Sequence, residues 1–293
     1  MTAVTEHHAS ETRASIETRA GIETEALRFC ILGPLSMTVH GREAAPTAAK
    51  QRQVLCLLLM NVGRRVTTTA LTSELWPNEV PRTAKTALQT YISALRRLFA
   101  KELGLPAETV AASLLTTDAG SYTLHLPASC WDGAEFQALL EQGEGAAARG
   151  DYEEAETTLA RALSMCQGDI LEDVVKGPQL RPLARFLDEA RLHGEEILVD
   201  TFLRTGKKNQ AVCRATTLAD RNPYHEGLHA QLMRSLYAAG RRNDALKAYR
   251  ELDARLADEL GTVPSPETRT LHHALLQDAP DAAFLRLAPV SVG

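Results

Sequence analysis

Two stretches of this 293-residue chain carry side chains whose types and spacing could do chemistry. The segment 82–99, RTAKTALQTYISALRRLF, places cations, amides and hydroxyls on one helical face without any acid, which suits contact with DNA phosphates and base edges. The run His225-Glu226-Gly227-Leu228-His229 is a literal H-E-x-x-H. On a helix its two histidines could bind zinc while the glutamate acts as a general base. The two patterns therefore point to two different classes of protein.

The segment 82–99 predicts an amphipathic helix. Its apolar stripe, which we expect to be buried, consists of Ala84, Leu88, Tyr91, Leu95 and Leu98. On the other face we expect bases to be read by Arg82, Thr83, Thr86, Gln89 and Thr90. We expect phosphates to be held by Lys85, Ser93, Arg96 and Arg97, together with Arg64, Arg65 and Trp76 from outside the helix. Periodicity alone leaves open a solvated surface helix with no nucleic-acid role.

A hairpin is predicted after this helix, with strands Leu114–Thr117 and Tyr122–Leu126 around the turn Asp118-Ala119-Gly120-Ser121. We expect Ser121 and Tyr122 to touch the DNA backbone or minor groove. A cationic helix followed by a hairpin is the order of elements in a winged helix.

The charge is unevenly distributed along the chain, whose net charge is −5. Residues 27–127 hold 11 Lys and Arg against 6 Asp and Glu, a net charge of +5. Residues 1–26 carry −3 and residues 128–293 carry −7. A cationic module joined to an acidic one is typical of a protein that holds phosphates at one end only.

Strand-like pieces at 27–33 and 36–41 precede helices at 48–60 and 69–75 within the cationic module. Residues 128–293 are rich in Ala and Leu, and Gly-x-x-x-x-Ala recurs there at Gly150, Gly206 and Gly240. The last two copies start 34 residues apart, which is the period of tetratricopeptide repeats. The sequence thus predicts a mainly α protein: a winged helix-turn-helix with small β-sheets, then an all-α, tetratricopeptide-like repeat domain.

The predicted organisation is a flexible tail (1–26), the winged helix (27–127), the helical domain (128–280) and a C-terminal tail (281–293). Because neither a signal peptide nor an apolar stretch of membrane-spanning length occurs, we expect a cytoplasmic protein with no membrane partner. The five cysteines are scattered without a C-x-x-C pair, which favours buried free thiols.

The position of the H-E-x-x-H motif argues against a zinc site at His225–His229. The motif follows Asn222-Pro223 and lies inside a helical repeat, and the tetratricopeptide-like period already accounts for this part of the sequence. Gly227 also lowers helix propensity by about 1 kcal/mol relative to Ala. We therefore expect no metal, no cofactor and no enzymatic activity, and keep a zinc metalloprotease and a scaffold that binds only protein as alternatives.

A family resemblance covers nearly the whole chain. Leu88, Ile92, Leu95, Arg96, Arg97 and Leu98 resemble the recognition helix of OmpR-type winged helices, and Thr116, Tyr122 and Leu124 resemble their wing. Ala119 and Ser121 stand where that family usually has glycines. The stretches LRFCILGPLSMTVHG, FQALLEQGEGAAARGDYEEA and NPYHEGLHAQLMRSLYAAGRRNDALKAYRELDARLADELG resemble the Streptomyces antibiotic regulatory proteins.

This resemblance implies an OmpR-type winged helix joined to a bacterial transcriptional activation domain. It implies a sequence-specific activator of an antibiotic or secondary-metabolite gene cluster. Such a protein binds direct repeats in double-stranded promoter DNA near the −35 region, with a second protomer side by side. It also implies recruitment of RNA polymerase holoenzyme through the σ factor and through the C-terminal domain of the polymerase α chain. Large members add an ATPase module, but no G-x-x-x-x-G-K-[ST] loop occurs here.

Overall fold

The computed structural model describes residues 27–277, so the predicted tails 1–26 and 281–293 lie outside the described residues. The first part of the chain contains β1 (Leu27–Cys30), β2 (Ser36–Val39), β3 (Arg42–Glu43), α1 (Ala49–Leu59), β4 (Val66–Thr67), α2 (Thr68–Leu75), α3 (Ala84–Leu103), the short α4 (Ala107–Thr109), β5 (Leu115–Asp118) and β6 (Ser121–Leu124). Helices follow: α5 (Asp132–Arg149), α6 (Tyr152–Ser164), α7 (Leu180–Arg204), α8 (Lys208–Arg221), α9 (Glu226–Ala238), α10 (Arg242–Arg255) and α11 (Pro266–Leu276). This mainly helical architecture confirms the predicted fold class.

Two small antiparallel sheets frame the three helices of the winged helix. The first has the order β1-β2-β3, and the second has the order β4-β6-β5, so β6 is its central strand. The core joins the first sheet to α3, where Phe29 and Phe99 meet edge to face at 6.3 Å between ring centroids. Strands, three helices and a terminal hairpin therefore pack around one apolar cluster.

The chain packs as two compact units whose limits differ from the predicted module boundary at residue 127. Among residues 27–277, one unit contains residues 27–141 together with Arg161–Arg191, and the other contains Gln142–Ala160 together with residues 192–277. The apolar cluster of the first unit includes Phe136, Ile170 and Leu180 beside the side chains of the winged helix. Residues from the second half of the sequence thus complete the core of the first unit.

Three carboxylates attach these later residues to the winged helix, and we call this set the carboxylate clasp: Glu74, Asp132 and Asp173. Glu74 in α2 is 1% exposed. Its two oxygens accept the backbone N–H groups of Gly177 at 2.6 Å, Gln179 at 2.8 Å and Leu180 at 3.0 Å. These amides lie at the start of α7, where a carboxylate meets both unpaired N–H groups and the favourable end of the helix dipole.

The other two clasp residues hold the loop between β1 and β2. Asp132 accepts the N–H groups of Ile31 at 2.9 Å and Leu32 at 3.1 Å. Asp173 accepts the N–H of Leu35 at 2.8 Å and pairs with Arg52 of α1. Because each contact joins residues at least 100 positions apart, the clasp fixes the first unit through long-range hydrogen bonds.

The three Gly-x-x-x-x-Ala copies lie at equivalent turns of the second unit. Gly150, Gly206 and Gly240 end α5, α7 and α9 with φ values of +80°, +75° and +77°. After each glycine the next N–H bonds back five residues, as Arg241 does to the Leu236 carbonyl at 2.8 Å. This is the Schellman ending, which favours glycine at positive φ. The matching alanines of the next helices are fully buried, so the repeats pair helices as the sequence pattern predicts.

Replacing Glu74 by Gln tests the clasp. The amide keeps the size of the side chain but turns one acceptor into a donor that faces backbone N–H groups. We expect the free energy of unfolding of the full chain to fall by about 1–3 kcal/mol, measured by urea denaturation. Glu79→Gln is the matched control, because Glu79 is exposed in the loop after α2. Equal stability of the two variants would contradict the structural role of Glu74.

Candidate nucleic-acid interface

The α3 helix is positioned by one buried stripe. Its buried residues are Ala84, Leu88, Ile92, Leu95 and Phe99, at helical spacings of three and four. Gly104 ends the helix in the left-handed conformation at φ +66°. Tyr91 and Leu98, which we expected in the stripe, are only half-buried against the core, because the stripe is centred on Ile92 and Phe99 instead.

The opposite face of α3 is exposed and carries the predicted contact residues. The exposed residues among them are Arg82, Thr83, Lys85, Thr86, Gln89, Thr90, Ser93 and Arg97. This face has no acid before Glu102, which pairs with Lys101 at 2.9 Å near the end of the helix. Such a surface can donate hydrogen bonds to phosphates and base edges without repelling them. That these eight residues contact DNA stays a prediction.

Arg96 has a different role from the phosphate contact that we predicted. Its guanidinium is half-buried and donates to the Leu115 carbonyl at 2.6 and 2.9 Å and to the Thr117 hydroxyl at 2.7 Å. Burial lowers the pKa of this guanidinium. Arg96 therefore attaches β5 of the hairpin to α3, and that it also holds a phosphate stays a prediction.

The hairpin keeps the expected register, and its strands extend one residue pair further toward the turn. Asp118 pairs with Ser121, which leaves Ala119 and Gly120 as a two-residue turn at φ +43° and +79°. Two positive φ values in succession match a type I′ turn. Ser121 and Tyr122 are 9% and 8% exposed because β6 also pairs with β4 along its other edge. That Ser121 and Tyr122 touch DNA stays a prediction, and the exposed tip of the wing is 117–120.

The predicted contact residues at the base of the wing differ in whether their side chains contact another side chain of the protein. Arg64 and Arg65 are both exposed, but Arg65 pairs with Asp118 of the hairpin. Trp76 is half-buried, and the Lys50 ammonium lies 4.8 Å from its ring centroid. The sequence did not indicate these two contacts, because Lys50 and Asp118 lie 26 and 53 residues from Trp76 and Arg65 along the chain.

The H-E-x-x-H residues take part in local structure. His225 precedes α9 in an extended conformation, and its Nδ1 accepts the N–H of Leu228 at 3.2 Å. Glu226 accepts the N–H of Ser265 at 2.7 Å. The two histidines thus do not share one helical face, which the metalloprotease alternative requires. Along residues 27–277, no group of three or more His, Cys, Asp or Glu side chains is arranged to hold a metal ion.

The prediction of buried thiols is confirmed for Cys56 and Cys130, whereas Cys166 is half-buried and Cys30 and Cys213 are exposed. In the described part of the chain, no helix is both long and apolar enough to cross a membrane.

Comparison with protein families gives two matches that divide the chain. Residues 42–112 match the family described as transcriptional regulatory protein, C terminal. Residues 131–276 match the bacterial transcriptional activator domain. The first match covers α3 and the second covers most of the helical repeats.

Similar proteins include three named regulators. Regulatory protein DnrI of Streptomyces peucetius is 36% identical over 250 residues, which cover 85% of this chain and 92% of DnrI. Transcriptional regulatory protein EmbR of Mycobacterium tuberculosis is 32% identical, over 87% of this chain and 64% of EmbR. Regulatory protein AfsR of Streptomyces coelicolor is 34% identical, over 90% of this chain and 25% of AfsR.

A solved structure, Mycobacterium tuberculosis EmbR in complex with a low affinity phosphopeptide, has a similar fold. It superposes with a TM-score of 0.80 at 31% identity and covers 89% of this chain and 68% of that chain.

The buried His229 predicts a pH dependence of stability. This side chain is 6% exposed and its Nε2 has no hydrogen-bond partner. Burial, with a smaller effect of Arg255, lowers its pKa. As the pH falls through about 6.5, the unfolded chain therefore binds a proton that the folded chain does not bind. We expect the free energy of unfolding to fall as the pH drops below about 6.5, by at most about 1.4 kcal/mol per pH unit from this residue.

Urea denaturation of His229→Gln between pH 5 and pH 7.5 measures this contribution, since the variant loses the titrating group. Its stability should vary less with pH than that of the parent chain. His273→Gln, at an exposed position of α11, is the control. Identical pH profiles for the parent chain and His229→Gln would contradict the assignment.

Proposed function

The chain belongs to the Streptomyces antibiotic regulatory protein family of transcriptional activators, and we propose that its winged helix recognises promoter DNA in a sequence-specific way. The observation that carries this proposal is the exposed face of α3, which presents cations, hydroxyls and an amide without an acid. We place α3 in the major groove, with the exposed wing tip 117–120 beside the DNA backbone. The genes controlled are those of an antibiotic or secondary-metabolite cluster.

Base reading is assigned to the first half of α3 and to the two residues that precede the helix. Arg82, Thr83, Thr86, Gln89 and Thr90 are the proposed readers, since short polar side chains and Arg match the donor and acceptor patterns of base edges. Phosphate contacts are assigned to Lys85, Ser93, Arg97 and Arg64. Trp76, half-buried directly after α2, is the remaining proposed contact with the DNA backbone.

The helical part of the chain is proposed to present a surface for protein contacts. Stacked helix pairs form extended surfaces of this kind. The charge of −7 over residues 128–293 disfavours DNA and favours basic partners. We propose that this part meets RNA polymerase holoenzyme, through the σ factor and the C-terminal domain of the polymerase α chain, while the winged helix lies near the −35 region. The protein would work in the cytoplasm, on the nucleoid, without a cofactor.

Gln89→Ala and Arg97→Ala distinguish base reading from phosphate binding. Gln89→Ala should weaken binding to the operator by about 1–3 kcal/mol and affect random DNA much less. Arg97→Ala should weaken both alike and lower the salt slope by about one. Fluorescence anisotropy over a salt series measures both quantities. Lys208→Ala, which removes an exposed cation from α8, is the control. Equal losses on both DNAs for Gln89→Ala would contradict base reading.

The proposed binding to direct repeats in the operator predicts how two protomers assemble on DNA. Two protomers that meet the same groove in the same direction must contact each other head to tail, which is a heterologous contact that needs no stable dimer in solution. We expect a monomer or weak dimer by sedimentation, and two protomers on each operator with direct repeats. A tight symmetric dimer that binds only inverted repeats would overturn this arrangement.

A further inference from the structure

The wing contains a carboxylate where a DNA-binding surface would be expected to exclude one. Asp118 ends β5, and its carboxylate pairs with the guanidinium of Arg65. Both side chains face solvent, with 55% and 67% of their areas exposed. An exposed ion pair of this kind contributes about 0–1 kcal/mol to stability. The ion pair therefore contributes little to folding.

The position of Asp118 is fixed from two sides. The preceding residue, Thr117, accepts a hydrogen bond from Arg96 of α3 at 2.7 Å. Gly120, two residues later, accepts from the Thr68 hydroxyl at 2.5 Å and from the Thr68 N–H at 2.9 Å. The wing tip is thus tied to both α3 and α2. Asp118 and Arg65 are held next to the proposed DNA surface.

Asp118 differs in position from the other acids of the winged helix. Glu74 is buried in the clasp, Glu102 pairs with Lys101, and Glu43 lies in β3. Glu79 follows α2 and Glu108 lies in α4. In residues 27–127, Asp118 is the one carboxylate in the hairpin that follows the recognition helix. The negative charge that DNA phosphates would meet at the hairpin is therefore that of Asp118.

We propose that Asp118 restrains the affinity of the wing for DNA phosphates by neutralising Arg65. This inference rests on the proposed DNA-binding function. A free Arg that contacts a phosphate releases counterions, whereas an Arg held in an ion pair brings no net charge. The pair therefore weakens binding to DNA of any sequence. Stable complexes then depend on the base contacts of α3, and Asp118 limits the time that the protein spends on non-cognate DNA.

The test compares Asp118→Asn with the parent full-length chain on a random duplex, by fluorescence anisotropy between 50 and 300 mM salt. Loss of the carboxylate frees Arg65, so we expect affinity at 0.1 M salt to rise about three- to tenfold and the salt slope to steepen by about one. Glu108→Gln is the matched control, because it removes the same charge from an exposed position of the same unit. It should change affinity less than twofold.

A double-mutant cycle isolates Arg65 as the group that Asp118 acts on. Arg65→Ala should lower affinity in the parent chain, because it leaves the Asp118 carboxylate unpaired, and in Asp118→Asn it should remove the gain and return affinity to about that of the parent chain. Asp118→Ser, a second neutral variant, should give the same gain. The proposal would be overturned if the two neutral variants bound DNA with unchanged affinity. A lowered affinity would also overturn it, because Asp118 would then serve to position Arg65 on the DNA. Absence of salt-dependent DNA binding by the parent chain would instead overturn the proposed function.

Discussion

The structure of the first unit depends on the buried carboxylate of Glu74. A charge that is 1% exposed is tolerated only when it is fully hydrogen-bonded, and the three N–H groups of Gly177, Gln179 and Leu180 meet that requirement. Gly177 is needed there because a Cβ atom would lie 2.5 Å from the Glu74 carbonyl oxygen. This contact holds α2, the helix that precedes the recognition helix, against the start of α7. The DNA-binding fold therefore includes residues that family comparison assigns to the activator domain.

Local patterns predicted the elements that a single apolar stripe or a single turn determines. The α3 helix and the glycine-ended helix pairs belong to this group, because periodicity and positive φ are properties of short segments. The clasp could not be predicted in this way. Glu74 reads as an ordinary charge on an amphipathic helix, and its partners lie more than 100 residues away. The resemblance gave the family, but it gave no contact between the two halves of the sequence.

Two features of the candidate site could not be predicted from local patterns. The hairpin has the expected register, with Thr117 opposite Tyr122, but β6 also pairs with β4, so Ser121 and Tyr122 are buried while 117–120 is exposed. Arg96 was expected on the polar face of the helix, and its half-buried guanidinium donates to the Leu115 carbonyl and the Thr117 hydroxyl of the hairpin. The net charge of +5 in residues 27–127 thus overstates the cations free to meet phosphates.

The central claim is that the winged helix and the residues around Gly177 form one cooperative unit. Native-state hydrogen exchange of the full-length chain tests it most directly, because it gives an opening free energy for each amide. We expect the amides of Gly177, Gln179 and Leu180 to open with the same free energy as those in the middle of α3. The claim would be contradicted if these three amides exchanged through a local opening of much lower free energy while α3 stayed protected.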